Sequence, residues 1–593
     1  MSIGVAALVL AGSVAAQTGL RDDLSSILDD SSIPSLGYAV VRDGEVTEID
    51  VLGDAPRDAA FRIGSISKSV TTVLVLRLAE EGLLDLQTPL TEALPDVGIA
   101  SRWASTAPIL LVDLLEQTSG LPGTSYADYG AHPTDISPLT VAGDHGSRTR
   151  WRPGAFFSYA NVNHTLAAAA AEKAAGVAFD ELVRTRVLEP LGLRQASFDR
   201  SAVGERLVES FDGNGQQEER WDLDVRPSGS LVASIDDLAA LARFLATDGA
   251  SGPWEGTEIV RRMRTPERAL VARANYPFIY GAGLFPFVEN GSVYYGHWGR
   301  IDGFQAVFGT NPNDRSGFAL VANGADRRAF GRARARIARE IPGTPAQPDT
   351  VVAPFGGEVE GWWLPFTDDS AERAWISEVT GLVRVDRTDE GIALTAGLTP
   401  WSARALEPFG PGRFRVPGYP IATHVFAEDP AGETYLLGDQ QLSLRRISSI
   451  EAWLRIAVLG AFLVALPLAL IGGLRAFLQL VRGRAGPRRS AWILLGLAAA
   501  SAGSFMVLHV LWGMLAPLSE LRELSRPSSR SVTLAVLSVA WPLASGASLV
   551  KLLRGRSSDF GIGRVLAVGI AVVFGVVAAY LATFGFVPLL TWR

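Results

Sequence analysis

The stretch Phe61–Leu78, FRIGSISKSVTTVLVLRL, decides how the rest of the chain reads. Val70, Val73, Leu74, Val75 and Leu78 recur at helical spacing after Gly64, which predicts a helix starting close to Ser65. Ser65 and Lys68 then lie three residues apart on one face near its first turn. A serine hydroxyl becomes a nucleophile when a nearby base takes its proton, and an amine can be that base once burial or neighbouring charge lowers its pKa. The helix N-terminus favours the negative charge that develops there. Lysine is scarce: Lys68, Lys173 and Lys551 stand against 51 arginines. A guanidinium stays charged and cannot act as a base, so a lysine retained at position 68 fits a role that needs deprotonation.

Working outward, the 593 residues divide into two materials. Residues 450–593 carry 14 basic and 4 acidic side chains, a net +10, whereas residues 1–449 carry 40 basic and 58 acidic, a net −18. The acidic part reads as soluble and globular, without the basic stripe that nucleic-acid binding requires. Cysteine is absent, which excludes disulfides, thiolate nucleophiles and zinc-cysteine sites. His132, His145, His164, His297, His424 and His509 are scattered without a metal-ligand spacing such as HExxH, so no metal and no cofactor is expected.

Residues 1–16 end in an apolar run, IGVAALVLAGSVAA, and are expected to be a signal peptide cut after Ala16. Residues 17–343 begin with a short helix (LRDDLSSIL) and a hairpin around Asp43-Gly44. The helix after Ser65 follows, then helical ILLVDLLEQTSGLPG and NHTLAAAAAEKAAG, and PSGSLVASIDDLAALARFLAT with Ser234 as its cap. FIYGAGLF, VYYGHWG, QAVFGT and GFALVAN read as strands, and an arginine-rich helix closes the region. Strands at both ends with helices between predict an α+β fold, an antiparallel sheet flanked by helices.

Pro342–Pro354 reads as a linker, and the short alternating runs of residues 355–448 predict a small all-β, barrel-like domain in which His424 packs. Four apolar stretches, about 453–474, 491–517, 531–550 and 564–589, are long enough to cross a membrane, so the bilayer is an expected partner. Arg475, Arg482, Arg484, Arg488 and Arg489 fill the first connection, and Lys551, Arg554, Arg556 and Arg564 the third. These put both connections in the cytoplasm and residues 17–450 outside. His509 and Trp512 fall in the second span, where packing is expected of them.

Two further groups along the chain complete the Ser65 pair. Ser65-Ile66-Ser67-Lys68, Tyr159-Ala160-Asn161 and His297-Trp298-Gly299 resemble, in type and order, the SxxK, YxN and KTG-like HxG signatures of the serine β-lactamase and penicillin-binding protein superfamily. LLEQTSGLPG, PGAFFSYANVN, EPLGL and GSLVASIDDLAALARF also resemble its class C β-lactamase and D-alanyl carboxypeptidase branch, over residues 20–343. The resemblance implies that Ser65 is acylated and that Lys68 and Tyr159 act as a coupled base. It implies that Asn161 binds the substrate amide, that His297 stands on a strand edge where many relatives have lysine, and that the backbone N–H groups of Ser65 and Arg300, beside Gly299, hold the oxyanion. Trp298 departs from a small hydroxyl residue and Gln117 from a frequent histidine.

Taken together, the resemblance, the four spans and the expected signal peptide lead to a serine hydrolase in a bacterial inner membrane, its catalytic domain in the periplasm or cell exterior. Its substrates would be small peptides, amides or esters, first among them D-amino-acid or other non-standard peptides. An esterase, a β-lactamase and a non-turnover penicillin or peptide sensor are the alternatives.

Overall fold

The computed structural model describes residues 19–341, 359–367, 380–397, 404–438, 443–484, 487–514, 521–554 and 561–591, less 124, 130–136, 145–147, 220, 255, 256, 274, 275, 277, 430, 522, 584 and 588. The expected signal peptide and linker, with His132 and His145, lie outside the described residues.

Helix α1 (Leu20–Asp29) buries Leu20, Leu24 and Leu28, one stripe at four-residue spacing. Strands β1 (Ser35–Arg42) and β2 (Glu45–Gly53) form the expected hairpin. Strand β3 (Ala60–Arg62) leads through a single 3-10 turn, Gly64–Ile66, into α2 (Ser67–Glu80), and α3 (Asn161–Ala175) packs across it. Strand β4 (Val232–Ser234) pairs with β3 and opens α4 (Ile235–Ala246), whose cap is reciprocal: the Ser234 hydroxyl accepts from Asp237 N–H and the Asp237 carboxylate from Ser234 N–H. Strands β5 (Phe285–Glu289), β6 (Ser292–Ile301), β7 (Phe304–Asn311) and β8 (Ser316–Ala322) precede α5 (Arg327–Ala338).

Strands β1, β2 and β5 to β8 make one antiparallel sheet in the order β2-β1-β8-β7-β6-β5, and β3 and β4 a separate two-stranded one. Alternate residues of β8 enter different cores: Phe318, Leu320 and Ala322 join α1 and α5, while Ala319 and Val321 join the helical layer that holds α2, α3 and α4. With both faces covered, β7 and β8 are buried throughout.

Helix α2 is buried nearly all round, eleven of its fourteen residues, and lies in the middle of the domain. Its polar side chains are matched one by one: Ser69 donates to Gly283 O at 2.7 Å and Thr71 to Pro227 O at 2.8 Å. Two expected elements are shorter than read. ILLVDLLEQTSGLPG is helical over Leu111–Leu115 alone. FIYGAGLF becomes a strand only at Phe285, because Gly281 N–H turns back to Leu284 O and the Gly283 carbonyl is taken by Ser69.

Strands β9 (Gly361–Pro365), β10 (Val383–Thr388), β11 (Gly391–Ala396), β12 (Arg404–Gly410), β13 (Arg413–Arg415), β14 (His424–Glu428), β15 (Thr434–Gly438) and β16 (Ser443–Ile447) close into the expected barrel. Trp363, Val385, Leu406, Phe426 and Leu436 help fill it. It seats on the first domain through Phe156, whose ring lies 4.7 Å from both Phe366 and Tyr435. His424 is buried beside Thr423 Oγ1 at 2.9 Å, and burial lowers its imidazole to about 3, so it packs as a neutral ring.

Four helices follow: α6 (Ser449–Val481), α7 (Pro487–His509), α8 (Ser529–Leu553) and α9 (Ile562–Thr583). Each holds a window of mean hydropathy between 1.6 and 2.6, and each is long and apolar enough to cross a membrane. Leu463, Ile471, Leu543 and Val565 are exposed on the bundle, the opposite of a water-soluble helix pattern. Helix α7 runs on into one π-helical turn, Val510–Met514.

Candidate active site

Ser65 is placed by a close approach of two backbones. Gly64 has φ of 53°, and a Cβ there would stand 2.7 Å from Arg300 N. A Cβ on Gly299 would stand 1.8 Å from Ile63 O and 3.0 Å from Ser65 N. Only residues without side chains let the turn before α2 lie against β6 this tightly. From the other side, Ile63 N–H donates to Leu231 O at 3.0 Å, and Ser67 Oγ donates to Gly64 O at 2.6 Å while accepting from Leu231 N–H at 3.0 Å. The GSLVASIDDL phrase thus works as a clamp on the turn that carries Ser65.

Lys68 is wholly buried beneath a partly exposed Ser65. Its Nζ lies 3.1 Å from Ser65 Oγ, 2.7 Å from Asn161 Oδ1 and 2.8 Å from Ser228 O. The amide oxygen and the carbonyl can only accept, so they take two N–H bonds. A neutral amine then directs its remaining lone pair at the serine hydroxyl. Burial pushes the amine from 10.5 down to about 7, and Asp128 opposes that fall.

Tyr159 keeps part of its surface open and lies with its ring 4.8 Å from Lys68 Nζ. Burial raises its hydroxyl well above the ordinary tyrosine value, with a hydrogen bond to Ser65 opposing. Of the two expected partners in the base, Lys68 is therefore the one able to accept a proton near neutral pH, and Tyr159 remains a phenol able to donate. The QTSG and PGAFFSYANVN phrases hold this loop against each other. Gly154 N–H donates to Thr118 O and Ser158 N–H to Gln117 O, both at 2.8 Å. Gln117 Oε1 accepts from Ala160 N–H at 2.9 Å and from Asn163 Nδ2 at 2.5 Å. Its amide nitrogen faces His164 Nδ1 at 3.3 Å, and His164 Nε2 meets Thr72 Oγ1 on α2 at 3.1 Å. The Gln117 departure is thus an amide that ties the tyrosine loop to the central helix.

His297 is buried, with Nδ1 2.7 Å from Trp298 O and Nε2 3.4 Å from the Tyr280 hydroxyl. A carbonyl accepts, so Nδ1 carries the proton. Burial, with Lys68 adding to it, lowers the ring to about 3, which keeps it neutral. The Trp298 indole lies flat on Phe285, 4.8 Å between rings at 10°, so its bulk is partly absorbed by the aromatic cluster beside Tyr159.

The register of β6 decides which of its main-chain groups are left unpaired by its neighbours. Pairing with β5 runs from Glu289↔Ser292 to Phe285↔Gly296, across the two-residue turn Asn290-Gly291, and pairing with β7 from Ile301↔Phe304 to Tyr295↔Thr310. In an antiparallel ladder the polar groups of successive residues alternate sides. Ser292, Tyr294 and Gly296 therefore face β5, and Tyr295, His297, Gly299 and Ile301 face β7. Trp298 and Arg300 are left directed at the edge beyond the last β5 pair, where the Ser65 turn lies. Gly64, next to Ser65, lies against Arg300 N there, and Gly299 against Ser65 N.

All seven residues singled out in the sequence, Ser65, Lys68, Tyr159, Asn161, His297, Gly299 and Arg300, meet at this one site. Sequence reasoning missed Asp128, Ser228, His164 and Tyr280. Ser228 acts through a backbone carbonyl, which leaves no mark in residue type, and Asp128 reaches Lys68 only through folding. The Asn161 amide joins the two, accepting from Lys68 and donating to Asp128 Oδ2 at 3.5 Å.

The Beta-lactamase family model matches residues 20–341, more than half of the chain. The human beta-lactamase-like 1 protein is 30% identical over 351 residues, which are 53% of this chain and 66% of that protein, so the chain spans just under two thirds of that relative's length. Penicillin-binding protein 4 of Amycolatopsis lactamdurans is 25% identical over 373 residues, 57% of this chain and 96% of that one. Among solved structures, the crystal structure of SurE is 21% identical and covers 72% of this chain and 99% of that one with a TM-score of 0.47. With the family model matching residues 20–341, the chain belongs to the serine β-lactamase and penicillin-binding protein superfamily.

Proposed function

We propose that the protein is a membrane-anchored serine hydrolase whose active site faces the extracytoplasmic side and which works through an acyl-enzyme on Ser65. The observation that carries this reading is the Lys68 amine: two of its hydrogen bonds go to obligate acceptors and the third position is the Ser65 hydroxyl at 3.1 Å. Lys68 takes the hydroxyl proton as Ser65 Oγ bonds to the substrate carbonyl carbon. Negative charge moves to the carbonyl oxygen, opposite the Ser65 and Arg300 N–H groups. The tetrahedral adduct collapses, the bond to the leaving group breaks, and the proton returns to that group through Lys68 and the Tyr159 phenol. Water enters by the same route and releases the acyl group.

The substrate class is a peptide or amide. The β6 edge at Trp298 and Arg300 offers main-chain groups at strand spacing, which suits an extended peptide laid alongside it. D-amino-acid-containing or otherwise non-standard peptides are the class favoured, and the name of the Amycolatopsis relative makes a penicillin the natural acylating probe. The test is a screen of the full chain in detergent against D-amino-acid amides, linear peptides, p-nitrophenyl esters and a chromogenic cephalosporin. Ser65→Ala should lose every activity and all labelling by fluorescent penicillin or a fluorophosphonate; undiminished labelling would remove Ser65 from the mechanism. Repeated turnover separates a hydrolase from a sensor, which would hold its acyl group.

A further inference from the structure

We propose that the outer end of the membrane bundle is a positioning part of the active site: it holds the segment Ser125–Tyr129, and through that segment it holds Asp128 toward Lys68. This inference rests on the reading of Lys68 as the base.

The contact begins in the bundle. Tyr126 belongs to the catalytic domain by sequence, yet it is 3% exposed and shares its buried cluster with Phe505, Leu521, Leu524 and Phe586 of the membrane region. Its ring lies 6.2 Å from His509 at 64°. A Cβ on Gly513 would stand 1.8 Å from the Tyr126 hydroxyl oxygen and 2.9 Å from its Cζ, so the tyrosine fits only because position 513 has no side chain. Gly513 sits in the π-helical turn that ends α7, an arrangement that shifts the following backbone relative to a regular helix. Three residues beyond Tyr126, the Tyr129 carbonyl accepts from Ser525 Oγ, in the connection before α8, at 3.0 Å. Both contacts come from the outer end of the bundle, on the side where the charge pattern puts the soluble domains.

The other end of the segment reaches the site. Asp128 Oδ2 accepts from Ser125 N–H at 3.2 Å and lies 3.5 Å from Asn161 Nδ2, while its carbonyl accepts from Asp224 N–H at 3.1 Å. Asn161 Oδ1 is the acceptor 2.7 Å from Lys68 Nζ. Bundle, Tyr126, Asp128, Asn161 and Lys68 thus form a continuous path of contacts. The groups that face Lys68 from the elements packed on it are Ser65 from the nucleophile turn, His164 from α3, Tyr159 and Asn161 from the tyrosine loop, the Ser228 carbonyl, His297 from β6, and Asp128. Both histidines are held neutral by burial, so Asp128 is the anion in this set and the one that favours a protonated Lys68. Displacing it lowers the pH at which the amine becomes available.

The test uses the full chain in detergent and the rate at which a fluorophosphonate labels Ser65 between pH 5 and 9. Gly513→Ala, by pushing Tyr126 out, should move the acid limb of the profile to lower pH by about half a unit or more, in the direction of Asp128→Asn, for which about one unit is expected of an opposite charge nearby. In the Asp128→Asn background Gly513→Ala should add no further shift. Ser525→Ala, a gentler change that removes one hydrogen bond to Tyr129, should give a smaller shift of the same sign and serves if Gly513→Ala does not fold. Profiles that superimpose on the parent, or a pH-independent loss that persists in the Asp128→Asn background, would overturn the proposal. Labelling that survives Ser65→Ala would instead refute the hydrolase reading itself, so the two failures are told apart.

Discussion

Lowering the pH from 8 to 5 should silence Ser65 acylation through one group, Lys68. Its folded value of about 7 lies below its ordinary 10.5, because burial penalises the ammonium more than Asp128 supports it. At pH 7 about half of the molecules then carry the free amine, against about one in 3,000 for an ordinary lysine. That is a gain of about 1,500-fold in reactive fraction, or about 4 kcal/mol. The deprotonated form is the active one, so the rate is full well above pH 7 and falls about tenfold per unit below it. The assay is the initial rate of labelling by fluorescent penicillin across pH 5 to 9, with Lys68→Arg measured alongside. The guanidinium stays charged over that range, so the variant should label about a thousand-fold more slowly or worse, with no acid limb. The same desolvation acts on stability. Between about pH 7 and 10.5 the unfolded chain holds a proton that the folded one lacks, so stability rises with pH across that window, and Lys68→Met should lack the rise. A wild-type rate still full at pH 5, an acid limb near 10, or Lys68→Arg acylating normally would each refute the buried amine as base.

Three further outcomes are expected. Tyr159→Phe keeps the ring contacts with Phe285 and Tyr280 but loses the hydroxyl, so melting should change little while labelling slows by about 100-fold or more; an unchanged rate would exclude a proton-transfer role. Gly64→Ala and Gly299→Ala each place a Cβ into opposing backbone, and should cost roughly 1–3 kcal/mol in thermal melts together with most of the acylation rate; a fully active Gly299→Ala enzyme would contradict the close approach. His297→Lys puts a second amine where Lys68 already acts on the ring, and should move the acid limb down by about one unit; an unmoved limb would show that the two groups do not couple.

The separate members of the site were legible because each carries a residue type and a local spacing that the chemistry demands. Ser65 and Lys68 are three residues apart on a chain nearly empty of lysine, and the tyrosine and histidine signatures follow in order. Helix α1, the Asp43-Gly44 hairpin, the Ser234 cap and the four apolar spans were readable for the same reason, since period, turn chemistry and hydropathy are local properties. FIYGAGLF was misread as strand throughout because burial alone does not separate a buried bend from a ladder. Gln117 was visible as a departure, but its use as a tie between the tyrosine loop and His164 was not.

By itself, then, the sequence determined the family, the barrel and the four apolar helices, and named Ser65, Lys68 and Tyr159 as the candidate site. Composition, periodicity and short motifs act over a few residues and survive in one dimension. The tertiary structure decided what those residues can do. It gave the lone pair of Lys68 a direction, because two acceptors 93 and 160 residues away in sequence occupy its other positions. It turned the Arg300 N–H to the open edge of β6, because β5 stops pairing at Gly296. And it set Tyr126 against Gly513, nearly four hundred residues later in the chain, by a steric fit that no spacing rule encodes. Desolvation, hydrogen-bond direction and close packing arise only when distant segments meet, so no local motif states them.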